Sequence, residues 1–229
     1  MEGLEKSKQI CFVIDGTKSM HTEIKKVRKA ILKFTENRMH KQVAIIIYRD
    51  HDCKTLFEVF PSNRLFTSDM QAVVKFLKGV KTNEKSASYN EAALDGLAVA
   101  ASLNWGESDE KDLLVIHISD AMPHGNWPDY EKHHERSGAS GDHCCCCPGK
   151  CDFKWEPDVF VPFRAKKIKY HSIFTYDKNR SYWFSSSKVY NEGFDQVMRR
   201  ELGEELCPES RFQFTERDLV DIKINEIVL

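Results

Sequence analysis

Three short apolar runs, each ending in polar, oxygen-rich residues, constrain this chain more than any other feature. The first is Gln9-Ile10-Cys11-Phe12-Val13-Ile14, which stops at Asp15-Gly16-Thr17. The second, Val43–Tyr48, stops at Arg49-Asp50-His51-Asp52, and the third, Leu113–Ile118, stops at Ser119-Asp120. Nearly continuous β-branched and aromatic residues describe strands buried on both faces rather than one. Between the first two runs Ile24, Val27, Ile31 and Phe34 recur at spacings of three and four, with Lys25, Lys26 and Lys29 between them. That spacing predicts an amphipathic helix with one buried stripe.

The rest of the chain continues the alternation. An extended segment is expected at Thr55–Phe60, and a helix at Ser68–Leu77 that Thr67-Ser68-Asp69 caps and Gly79 stops. A second helix is expected at Asn90–Ser102, a third near Asp158–Lys167, and a strand at Tyr170–Thr175. Two helical segments, near Phe194–Leu202 and Glu216–Val228, complete the tail, and there is no internal repeat. Strands alternating with amphipathic helices predict an α/β fold, a doubly wound, mostly parallel sheet flanked by helices. Ligands of such sheets bind beyond the carboxyl ends of the strands, where the strand order switches. The polar ends of the three runs therefore converge on the expected site.

Composition narrows the function classes. With 229 residues the chain suits one domain with additions. Lys+Arg 34 against Asp+Glu 35 excludes a globally basic nucleic-acid binder. No apolar run approaches the ~18 residues of a membrane span. Met1–Lys8 is charged and lacks an apolar signal core, so a cytoplasmic protein is expected, with no nucleic-acid or membrane partner. Eight cysteines would suit a disulfide framework, but five of them crowd into Cys144–Cys147 and Cys151. Neighbouring cysteines seldom meet disulfide geometry, and a reducing compartment disfavours the bond.

Asp15, Thr17 and Ser19 stand at alternate positions of the first turn, so their side chains can converge on one point. Asp120 would add a second carboxylate from another strand end. Oxygen-only donors suit a hard divalent cation such as Mg²⁺ or Mn²⁺. Taken alone, Asp15-Gly16-Thr17 also reads as an ordinary turn and Ser19 as a helix N-cap. Arg49-Asp50-His51 reads as a structural ion pair at a strand end, and His117, inside an apolar strand, as a satisfied core histidine.

The segment Phe12-Val13-Ile14-Asp15-Gly16-Thr17-Lys18-Ser19-Met20 resembles the start of a von Willebrand factor type A domain, whose metal-ion-dependent adhesion site has the pattern Asp-x-Ser/Thr-x-Ser. Val43–Tyr48 with Arg49-Asp50-His51 and Phe66-Thr67-Ser68-Asp69 is similar to the type A domains attached to alpha-type kinases. So are Ala93–Leu97 with Trp105, and Ile116-His117-Ile118-Ser119-Asp120-Ala121 ahead of Pro123-His124-Gly125. The resemblance covers roughly residues 8–176. It implies a Rossmann-like sheet and a Mg²⁺ or Mn²⁺ site formed by Asp15, Thr17, Ser19, Ser88 and Asp120. At the second loop the chain departs from its relatives: Lys85-Ser86-Ala87-Ser88-Tyr89-Asn90 replaces a glycine-rich stretch. Ser88 keeps an oxygen there, while the lost glycines alter how closely the backbone can approach an ion.

Between Met122 and Pro157 no strand or helix period is visible, and loops of this length are usually functional. The segment holds thiolates and imidazoles, the preferred donors of tetrahedral Zn²⁺. Cys147-Pro148-Gly149-Lys150-Cys151 has zinc-hairpin spacing, and His134, His143 and Cys144 are further candidates. A thiol-rich surface loop without metal is the alternative. The expected organisation is a type A-like unit over 1–178, carrying an insertion at about 122–157, and a helical extension over 179–229.

The function implied is a binding module in which Mg²⁺ coordinates a carboxylate presented by a partner protein. A metal-independent scaffold with a zinc loop is one rival. A Mg²⁺-dependent phosphatase of the haloacid-dehalogenase type is the other, but it needs a second carboxylate two residues after its nucleophile, and Thr17 stands there. The chain carries no dinucleotide fingerprint, phosphate loop or nucleophile elbow. No enzyme activity is expected.

Overall fold

The computed structural model describes residues 7–36, 41–84, 91–121, 123, 157–176, 181–208, 212–216 and 227. Six strands form one sheet: β1 (Ser7–Asp15), β2 (Lys41–Tyr48), β3 (Phe57–Phe60), β4 (Lys111–Ser119), β5 (Lys169–Tyr176) and β6 (Phe212–Glu216). Their order is β3-β2-β1-β4-β5-β6. All neighbours run parallel except β3, which lies antiparallel on β2. The expected doubly wound α/β sheet is therefore present, and its order reverses between β1 and β4.

The near-continuous apolar runs are explained by the two faces. Side chains alternate across a strand, and both sets are buried here. Cys11, Val13, Ala44, Ile46, Tyr48 and Val115 face one core, and Ile10, Phe12, Ile14, Ile45, Ile47 and Ile116 face the other. The second core is closed by α1 (His21–Glu36) and α2 (Met70–Gly79). Ile24, Val27 and Ile31 of α1 are buried as the spacing predicts, while the side chain of Phe34 falls outside the described set. The first core is closed by α3 (Ala93–Ala101), by a 3-10 turn at Pro157–Phe160 leading into α4 (Val161–Ala165), and by α5 (Ser181–Leu202).

The small residues of α3 let it lie close on the sheet. A Cβ on Gly96 would stand 2.8 Å from Cδ1 of Tyr48 and 3.2 Å from Cγ1 of Val13. The tyrosine ring is fully buried and cannot retreat. Gly96→Ala is therefore expected to destabilise the fold by about 1–3 kcal/mol, read as a lower urea midpoint at unchanged slope. An unchanged midpoint would mean that α3 shifts freely.

Several elements differ from their sequence expectation. The helix α2 begins at Met70 because Asp69 takes the N-cap, its carboxylate accepting from Ala72 N at 3.0 Å. The helix expected over Asp158–Lys167 is broken into a 3-10 turn and five α-helical residues, and Lys167 then turns with φ of 54°. The tail helix starts at Ser181 rather than Phe194. The strand β6 was not anticipated at all: its residue Glu216 falls where a helix is expected, yet Phe212–Glu216 extends the sheet in parallel register with Ser172–Tyr176. Its short period-2 pattern, Phe-Gln-Phe-Thr-Glu, carries little information until β5 offers an edge to pair with. Among the described residues no helix is long and apolar enough to cross a membrane.

Candidate functional site

The parallel register aligns the carboxyl ends of β1, β2 and β4, with Asp15 beside Tyr48 and Ile14 beside Ile118. Leaving β1, the chain turns hard against β2. Gly16 N donates to Tyr48 O at 2.7 Å, and a Cβ at this position would meet Cγ2 of Ile47 at 2.3 Å. Only glycine fits such an approach. Thr17 caps a 3-10 turn, Lys18–Met20, that leads into α1, and Met20 is buried beneath it.

Four side chains then line up with their oxygens 2.7–3.0 Å apart. Thr17 donates to Oδ1 of Asp15 from its backbone N at 2.8 Å and from Oγ1 at 2.7 Å. The hydroxyls of Thr17 and Ser19 lie 3.0 Å apart, and Ser19 Oγ donates to Oδ1 of Asp120 at 2.9 Å. Ser119 Oγ lies 3.4 Å from the second oxygen of Asp15 and is fixed by Ala121, whose N donates to it at 3.0 Å. Asp15, Thr17, Ser19 and Asp120, separated by up to 105 positions in sequence, are thus brought into one row of contacts. Ser88 and the zinc candidates His134, His143, Cys144, Cys147 and Cys151 lie outside the described residues.

The electrostatics are those of crowded carboxylates. Burial, then the neighbouring Asp120, push Asp15 up to about 7, although the hydrogen bonds from Thr17 and Ser119 pull it back. Asp50 is fully buried after β2. Glu91, immediately before α3, is 4 % exposed. Burial, followed by Asp15, Asp50 and Asp120, pushes it up to about 12. Two carboxylates with neutral hydroxyls between them are the kind of donor set that could hold a hard cation, and burial with a like charge nearby disfavours the Asp15 anion by itself. Among the described residues no three His, Cys, Asp or Glu side chains are grouped as a metal site by themselves. A cation held here would need the hydroxyls of Thr17 and Ser19 as well as the two carboxylates.

Asp50 was expected at this edge as part of the polar end of the second run, though not as a donor; Glu91 was not expected there. Glu91 reads in sequence as an ordinary residue near a helix start. Its place comes from backbone contacts that cross the end of β1: Ala92 N donates to Arg49 O at 3.1 Å, and Glu91 bridges Pro123 in parallel. The ion-pair reading of Arg49-Asp50-His51 needs correction in its partners. Arg49, 1 % exposed, pairs with Glu58 of β3, not Asp50, because its guanidinium points back across the antiparallel edge. His51 keeps Asp50 as a partner, its Nδ1 lying 3.9 Å from Oδ1 and its backbone N donating to the same oxygen at 2.7 Å, and it also meets Asp95 of α3 at 3.1 Å.

Arg49 also bonds to the residues that flank the second loop. Nη2 donates to Lys81 O at 2.7 Å, Nη1 to Thr55 O at 3.3 Å, and the backbone carbonyl accepts from Ala92. Both flanks of residues 85–90 are tied to this one residue. Lys18 N, donating to Glu84 O at 2.9 Å, joins the first loop to the second. His117 is a core histidine, as expected. Tyr48 and Tyr170 each place a hydroxyl 2.9 Å from one of its ring nitrogens, and burial holds it neutral, at about 3.

No family profile matches the chain, and no curated protein sequence matches it. Solved structures do. The vWF domain of the type V pili tip protein Mfa5 from Porphyromonas gingivalis superposes with a TM-score of 0.61 at 10% identity, covering 99% of this chain and 95% of that one. The pilus adhesin SpaC from Lactobacillus rhamnosus GG matches with a TM-score of 0.60 at 13% identity over 100% of this chain. Proximal thread matrix protein 1 from the mussel byssus matches at 0.55 and 10% identity over 97% of this chain. The chain spans 31% of SpaC and 47% of the byssus protein. At these identities the likeness concerns the backbone alone, and it shows that the chain has a von Willebrand factor type A-like fold.

Proposed function

We propose that this chain is a protein-binding module whose recognition site depends on a divalent cation. Asp15, Thr17, Ser19 and Asp120 hold Mg²⁺ or Mn²⁺, the second loop contributes Ser88, and a carboxylate of the partner protein completes the coordination. The observation that carries this reading is the row of oxygens from Asp15, Thr17, Ser19 and Asp120, two buried carboxylates each accepting from a hydroxyl and the two hydroxyls 3.0 Å apart, at the strand-order switch. Neutral hydroxyl donors leave the cation electrophilic toward an incoming acid. The adhesin and pilus-tip roles named for SpaC and Mfa5 support binding as the kind of function.

The test is a melting series of EDTA-stripped protein against Mg²⁺ and Mn²⁺, with Ca²⁺ and Zn²⁺ alongside. At ten times the dissociation constant a single site stabilises the fold by about 1.4 kcal/mol. No Mg²⁺ or Mn²⁺ shift at millimolar concentration would overturn the reading. A shift with Zn²⁺ alone would transfer the function to the cysteine and histidine segment.

A further inference from the structure

We infer that Glu91 is a further acidic group of the cation site, standing outside the direct donors and accepting hydrogen bonds from water held by the ion. This rests on the cation reading above and extends the donor set beyond the loop residues the motifs point to. Three observations on the fold converge on it.

Glu91 is nine-tenths buried, and its Oε2 meets no hydrogen-bond donor among the described residues. An anion or acid left in that state costs about 1–3 kcal/mol unless something absent from the protein chain satisfies it. Its place is also fixed rather than accidental. The backbone at Glu91 and Ala92 is bonded on one side to the residue after β2 and on the other to the segment after β4, so it is strapped over the end of β1, where Asp15 lies. The charges that act on it most are Asp15, Asp50 and Asp120, in keeping with the place that its backbone takes beside the oxygen cluster.

Four acidic side chains gathered at one strand-order switch repel one another, and a dication is the group that reverses the sign of that energy. Mg²⁺ keeps several waters in protein sites, and a carboxylate one shell out is the usual acceptor for them. The absence of a three-carboxylate cluster at ligating distance among the described residues fits this outer position better than direct coordination.

The experiment is calorimetric titration of the full chain with Mg²⁺ and with Mn²⁺, comparing wild type, Glu91→Gln, Glu91→Asp and Asp15→Asn. Glutamine keeps the size of the acid and loses its charge. Its metal-free melting temperature is expected to equal or exceed that of the wild type, which shows that the variant folds. Its cation affinity is expected to fall by about 10- to 100-fold, the range for outer-shell partners. Aspartate is expected to recover part of that loss. Wild-type binding with Glu91→Gln within about threefold of it would overturn this inference and leave the cation site standing. No wild-type binding, or binding that survives Asp15→Asn, would overturn both.

Discussion

Asp15→Asn is expected to raise the melting temperature of the EDTA-treated protein at pH 8 and to abolish its stabilisation by Mg²⁺. These opposite effects have one cause. Asp15 is fully buried, and with Asp120 beside it its folded-state value is about 7 against an ordinary 3.8. A carboxyl whose folded value is raised favours the folded state while protonated. That contribution is complete below about pH 4 and is lost as pH rises through about 7. The metal-free fold is therefore least stable at high pH, where the buried Asp15 carboxyl must ionise beside Asp120. Asparagine removes this penalty, although weaker bonds to Thr17 offset part of the gain.

The wild type should accordingly lose stability between pH 5 and pH 8 when metal-free. Mg²⁺ competes with the proton on Asp15, so the stabilisation it provides should grow over the same interval. Melting curves across that range, with EDTA and with Mg²⁺, read all of this. Persistence of a full Mg²⁺ shift in Asp15→Asn would show that the cation binds elsewhere.

The second large effect is expected at Arg49. Arg49→Met keeps the length of a buried side chain but removes the pair with Glu58 and the bonds to Lys81 O and Thr55 O. Breaking a buried pair costs about 3–5 kcal/mol, and Glu58, whose side chain is 31% exposed, can turn to water. A loss of about 2–4 kcal/mol in urea unfolding is the expected result. Cation affinity should fall with it, because the Lys81 flank of the second loop loses its side-chain anchor, although the backbone bond from Ala92 N to Arg49 O remains. Arg49→Lys should restore little, since an ammonium cannot reach three acceptors from one planar fork. Reduced stability with unchanged Mg²⁺ affinity would separate the clamp from the site.

Much of this arrangement was legible along the chain. Continuous β-branched runs define strands covered on both faces, because each alternate residue must find a separate core, and Ile10 through Ile14 do so. Asp15, Thr17 and Ser19 were legible because their convergence needs only one turn. Asp120 was legible because a strand end in a parallel sheet lies beside its neighbour's. The strand β6 was not, since five alternating residues bury too little by themselves to distinguish a strand from a loop or helix end.

The α/β class and the local half of the oxygen site follow from short-range order, in which side-chain periodicity and the geometry of one tight turn suffice. What only the tertiary structure decided is which distant residues share that site. Glu91 acquires its role because the backbone before α3 is bonded to Arg49 and Pro123. Arg49 selects Glu58 over the adjacent Asp50 because the antiparallel β3 returns alongside β2. Burial completes the distinction: removal from water raises the proton affinity of Asp15 and Glu91, and sequence neighbours cannot reveal how much water a folded site excludes.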